Sequence, residues 1–110
     1  MTIKISYDFT AMVALFPTEN GGRKRPVYNH YRPSFSFNTK MQFCGEMSFL
    51  NKEEVLPGET ALASVRMLPA RYIRRSLKRG DAFTIHEGDK IVGTGVIQSI
   101  EKNKLVPVLH

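Results

Sequence analysis

Hydrophobic and polar residues alternate along much of this chain. In the N-terminal segment Ile3, Ile5, Tyr7, Phe9, Ala11, Val13 and Leu15 fall on one face, and Lys4, Ser6, Asp8 and Thr10 on the other. Successive strand side chains point to opposite faces, so a period of two over this length predicts a strand with one buried side. The rule returns in Phe35, Phe37, Thr39, Met41 and Phe43, set against Ser34, Ser36, Asn38, Lys40 and Gln42, and again in Ala61, Ala63, Val65 and Met67. Phe83 and Ile85 lead into Glu87-Gly88-Asp89, a hairpin signal because glycine takes positive φ readily. Ile91 to Ile97 form the return strand, where Gly93 and Gly95 point to a bulge or a close backbone neighbour. Leu105 to Leu109 is a candidate closing strand, Pro57-Gly58 a turn, and Pro17 to Gly22 a polar loop.

One segment departs from this period. Between Ala70 and Gly80, Ile73 and Leu77 lie four apart, while Arg71, Arg74, Arg75 and Lys78 share the other side at helical spacing. The pattern predicts one short basic helix, capped by Gly80, with Lys78 and Arg79 at its last turn. Five or more strands around one such helix make an all-β barrel or sandwich.

The chain has 110 residues, enough for one domain spanning 1–110 and for a buried core. The formal net charge is +6, which favours an anionic partner: nucleic acid, an acidic protein surface or anionic lipid. Cys44 is the only cysteine, so no internal disulfide forms, and a reducing cytoplasm is the expected setting. Lys4 and Asp8 interrupt the apolar N-terminal stretch, so neither a signal peptide nor a membrane span is expected there.

Catalytic patterns are missing. There is no phosphate-cradling glycine loop ending in Lys and Ser or Thr. Asn51-Lys52-Glu53-Glu54 has part of a guanine-reading motif but lacks its aspartate, and reads as a surface turn. His30, His86 and His110 do not have metal-ligand spacing. His86 and Glu87 are neighbours on a strand and point to opposite faces, so they do not form an acid–base pair. Cys44 has no local histidine motif to activate it as a nucleophile and reads as a small buried apolar residue. A non-catalytic domain without metal or cofactor is expected.

Four motifs in order change the picture. Gly21-Gly22-Arg23, followed by Tyr28 and Tyr31-Arg32-Pro33-Ser34-Phe35-Ser36-Phe37, resembles the signature of the third domain of elongation factor Tu. Phe9 to Leu15 is similar to that domain's first strand, Val55-Leu56-Pro57-Gly58-Glu59 to its Pro-Gly turn, and Phe83 to Val96 to its closing hairpin. The resemblance implies a six-stranded antiparallel closed barrel. In the full-length factor this barrel packs against the GTPase domain and helps hold the T stem of aminoacyl-tRNA. Glu87 and Gly88 match the family's hairpin tip near the tRNA backbone. Ser34 stands where the family has Gln, Phe43 falls on or near a threonine, and Leu68 takes the place of a lysine.

Against those departures stands a gain of charge. The family's segment after Pro69 is shorter and often acidic, whereas here 71–79 carries five cations. Arg23, Lys24 and Arg25 add three where the family usually has one arginine. Half of the 16 Lys and Arg therefore sit in two short segments. Tyr28, Tyr31 and Tyr72 are placed to stack on unpaired bases, although Tyr31, Arg32 and Pro33 also suit a packing role. The expected site is Arg23, Lys24, Arg25, Arg71, Arg74, Arg75, Lys78, Arg79, Glu87 and Gly88. The expected partner is RNA, tRNA included. The alternative is an acidic protein surface, with the barrel mimicking elongation factor Tu as a decoy, inhibitor or antitoxin-like protein.

Overall fold

A computed structural model of the chain describes residues 2–4, 7–37, 41–68, 77–101 and 105–107, with backbone only at 2–4, 68 and 105–107. The strands among them are β1 (Thr2–Lys4), β2 (Phe9–Leu15), β3 (Val27–Tyr28), β4 (Ser34–Ser36), β5 (Phe43–Phe49), β6 (Glu54–Val55), β7 (Thr60–Leu68), β8 (Ala82–Glu87), β9 (Lys90–Ile100) and β10 (Leu105–Pro107). Six of them close an antiparallel barrel in the order β2-β7-β5-β4-β8-β9, and β9 returns to pair with β2. Closure gives each of these six strands a partner on both sides. β3 and β6 form a small ribbon of their own, as do β1 and β10.

The alternation read from the sequence decides which side chains enter the barrel. Phe9, Ala11, Val13 and Leu15 of β2 and Ala61, Ala63, Val65 and Met67 of β7 are all buried. They meet Phe35, Met47, Phe49, Phe83, Ile85, Val92 and Ile97 in one core. Phe9, Phe35 and Phe37 surround Phe83 at centroid distances of 5.9, 5.6 and 5.3 Å, within the range favoured by aromatic pairs. Gly93 and Gly95 line the inner wall because anything larger would collide. A Cβ on Gly93 would come 2.6 Å from the Ala14 carbonyl oxygen, the close backbone neighbour expected at this strand.

Several expectations give way. The stretch from residue 3 to residue 15 is not one strand: β1 pairs with β10, and β2 starts at Phe9. Asp8, expected on the polar face, is 1% exposed. Its carboxylate accepts the Met67 N–H (2.7 Å) and its carbonyl the Glu101 N–H (2.8 Å), so it ties the start of β2 to β7 and the end of β9. The run from Ser34 to Phe43 is not one strand: β4 and β5 pair antiparallel, with Phe35 opposite Phe43, and Met41 is 63% exposed. β5 is a strand that the alternation did not announce. Cys44, expected buried, is exposed on the outer wall. Of the candidate closing strand 105–109, the described part, β10 (Leu105–Pro107), pairs with β1 and not with a barrel strand, while 108 and 109 lie outside the described residues.

The basic helix expected over 70–80 lies largely outside the described residues. Those described, 77–80, form a turn: Asp81 N–H donates to the Lys78 carbonyl (3.1 Å), and Gly80 has φ 92°. Lys78 and Arg79 are thus exposed in a turn rather than in a last helical turn. No helix among the described residues is long and apolar enough to cross a membrane.

Candidate functional site

The loop between β2 and β4 is held on the barrel by a side-chain clamp. The Arg23 guanidinium forms an ion pair with Glu87 at the end of β8, across 64 positions of chain. The Tyr31 hydroxyl donates to the same carboxylate oxygen. Arg23 also donates to the carbonyls of Arg25 (3.1 Å) and Pro26 (3.4 Å), and its guanidinium carbon lies 5.3 Å from the centroid of the Tyr31 ring. Lys90, opposite Glu87 in the hairpin, donates to the Gly22 carbonyl (3.2 Å). Burial works to lower the Arg23 pKa, but the Glu87 hydrogen bond and charge outweigh it and raise it above normal. Burial and the Glu87 carboxylate together push the Tyr31 phenol well above its ordinary range, so it remains a donor.

Beyond the clamp the chain from Arg23 to Arg32 borders an open groove of about 530 Å³. Its backbone is fixed on both sides. Asn29 Oδ1 accepts the Phe49 N–H (2.7 Å), and Tyr31 exchanges backbone hydrogen bonds with Met47 (3.1 and 2.7 Å). His30 between them sits at φ 71°, a left-handed conformation that histidine tolerates better than most residues. At the groove's far end Glu46 gathers three basic side chains: Arg32 (3.0 Å), Arg66 (3.4 Å) and His30 (3.6 Å).

Burial acts to raise the Glu46 carboxyl, but the Arg32 hydrogen bond and the Arg66 and Arg32 charges prevail and hold it below the usual 4.5. A depressed folded-state pKa stabilises the fold above the unfolded value, and that contribution is lost as pH falls through the folded one. Wild type should therefore outlast Glu46→Gln in urea at pH 7, and the two midpoints should converge below pH 4.5. A gap that persists in acid would mean the carboxylate charge is not what holds the three side chains.

The expected site residues are thus placed as follows. Lys24 and Arg25 are exposed beside the groove, and Lys78 and Arg79 are exposed ahead of β8. Gly88 is exposed at the hairpin tip with φ 63°. Arg23 and Glu87, read separately as a phosphate contact and a tRNA-facing acid, are partners of each other. Arg71, Arg74 and Arg75 lie outside the described residues. The Glu46 cluster was not anticipated. Its members come from the loop before β4 and from β5 and β7, and nothing in their sequence spacing marks them. Among the described residues no group of His, Cys, Asp and Glu could hold a metal ion.

Residues 2–101 match the family model described as the elongation factor Tu C-terminal domain.

Proposed function

We propose that this chain, which belongs to the elongation factor Tu C-terminal domain family, is a non-catalytic module that binds RNA through its cationic segments. One observation carries the reading. Arg25 and Arg32 stand exposed along one groove, with Lys24 exposed next to Arg25 in the chain, whereas Glu87 at the end of β8 is neutralised by Arg23. An unpaired Glu87 would repel a phosphate backbone approaching the tip. Paired with Arg23, it opposes the field of the exposed cations less, and Asp89 is the exposed carboxylate at the tip. Cations that displace counterions from phosphates supply much of the affinity for nucleic acid and make it salt-dependent. Arg71, Arg74 and Arg75, which lie outside the described residues, are included in the proposal for their charge alone.

The test is a filter-binding titration with tRNA at several salt concentrations. Lys24→Ala/Arg25→Ala and Arg74→Ala/Arg75→Ala should each weaken binding and flatten its dependence on salt, by about one unit of slope per lost phosphate contact. Unchanged affinity and slope in both variants would reject the reading.

A second reading, docking on another protein, is favoured by one feature of the barrel wall. The outward positions of β7, β2 and β9 form three rows: Thr60–Ala14–Thr94, Leu62–Met12–Val96 and Ser64–Thr10–Ser99. None is charged, although 24% of the chain is. Met12 and Val96 are 43% and 41% exposed. Interface cores are depleted of charge in this way. This wall suits an uncharged protein face, in contrast to the acidic one expected from net charge. Binding of a protein partner that resists salt and is lost in Met12→Asp would favour it; recovery of RNA alone from a pull-down would reject it.

A further inference from the structure

We propose that Tyr28 and Glu54 form a binding site for a single unpaired nucleotide base, one that presents amino or imino hydrogens to the carboxylate. The inference rests on the RNA-binding reading and adds a base site beside the groove that Tyr28 lines. The register of the β3–β6 ribbon places the two side chains together: Val27 pairs with Val55 and Tyr28 with Glu54. Val27 and Val55 are 1% and 0% exposed. Alternation along each strand then turns Tyr28 and Glu54 outward on the same face, where directly opposed Cβ atoms lie about 5 Å apart. Tyr28 is 59% exposed, and Glu54 is exposed as well.

An isolated exposed tyrosine is ordinary surface. This one differs in three respects. Its backbone is fixed, with Val27 buried on one side and Asn29 bonded to Phe49 on the other, so little order remains to be gained when a ring stacks on it. It lines the same groove as Arg25, whose exposed side chain can take the phosphate attached to a stacked base. Its directly opposed cross-strand neighbour, Glu54, supplies an exposed acceptor on the same face.

Such a site discriminates by chemistry. A base inside a duplex has both faces stacked and its edge donors paired, so it offers nothing to this pair. Guanine, when unpaired, directs N1–H and the N2 amino group in parallel toward the two carboxylate oxygens. Adenine and cytosine offer an amino group only. Uracil offers one N–H flanked by two carbonyl oxygens, which the carboxylate repels.

The experiment compares a labelled RNA hairpin that is blunt with the same hairpin carrying a short 3′ single-stranded tail of G, A, C or U. The G tail should improve affinity about tenfold over the blunt form, the energy of one good stack. The U tail should improve it least. Tyr28→Ala should remove the advantage of every tail, Tyr28→Phe should keep it, and Glu54→Gln should bring the four tails closer together. Equal binding of blunt and tailed hairpins, or a tail advantage that survives Tyr28→Ala, overturns the base site and leaves the RNA-binding reading standing. Failure of every hairpin to bind overturns both.

Discussion

A Phe83→Ala protein is expected to lose about 3–5 kcal/mol of stability, read as a lower urea midpoint. A domain of this size has roughly 5–15 kcal/mol in all, so the variant would sit close to unfolding. The ring is 3% exposed and touches Phe9, Phe35 and Phe37, so the neighbours cannot collapse into the space without breaking their own contacts. The opposite residue sharpens the expectation. Gly95 pairs with Phe83 across β8 and β9, and a Cβ there would come 2.2 Å from the tip of the ring. Three other rings prevent Phe83 from swinging away, so Gly95→Ala alone should cost about 1–3 kcal/mol. Phe83→Leu shortens the side chain at the point of collision. The double variant Phe83→Leu/Gly95→Ala should therefore lose less than the sum of its parts, with a coupling of about 0.5–3 kcal/mol. Simple additivity would mean that the ring moves freely and that Gly95 is glycine for another reason.

Glu87→Ala should destabilise the fold by about 1–3 kcal/mol, because it strands two donors at once. Arg23 and the Tyr31 hydroxyl both lie against the same oxygen in a partly buried position. In a chain of this size each kcal/mol corresponds to roughly 4–8 °C in melting temperature. The clamp can be tested as a unit. If Tyr31 acts through Glu87, Tyr31→Phe should cost measurably less in the Glu87→Ala background than in wild type. Equal costs in the two backgrounds would mean that Tyr31 stabilises by packing alone. Arg23→Lys should not restore the clamp, since an ammonium cannot reach the carboxylate and the carbonyls of Arg25 and Pro26 in one plane.

Much of the barrel was legible because its strands obey a simple period. Phe9, Ala11, Val13 and Leu15, Ala61, Ala63, Val65 and Met67, and Phe83 and Ile85 all recur at a period of two, and all prove to line the inner wall. The hairpin at Gly88 and the turn at Gly58 were legible for a different reason: their glycines take positive φ, which few other residues accept. What failed was the reading of where a period ends. Alternation continues from Phe35 to Phe43 straight through a reversal of the chain, because two antiparallel strands can keep the same phase. β5 was hidden by its composition. Its inward positions are Phe43, Gly45, Met47 and Phe49, and Gly45 is small because a Cβ would come 2.6 Å from the Phe35 ring. A glycine as the second inward residue leaves a gap in the apolar period, and Cys44, beside that gap, lies on the outer wall.

The candidate site was legible only in part. Charge density marks 23–25 and 71–79 without any knowledge of the fold, since composition alone locates a run of cations. It does not tell which of them are free. Arg23 and Lys24 are neighbours of like charge in the sequence, yet one is paired with Glu87 and the other faces solvent.

By itself, then, the sequence determined the strand faces, the glycine turns, the family and the location of the positive charge. These depend on local period, local conformation and composition, which a linear chain carries directly. Only the tertiary structure decided that Asp8 is buried, that Glu87 serves Arg23 and Tyr31, that Glu46 gathers three basic side chains, and that Tyr28 stands beside Glu54. Each of these is a meeting between residues far apart in the chain, and the energy that fixes it exists only once barrel closure has brought them within hydrogen-bonding or cross-strand distance.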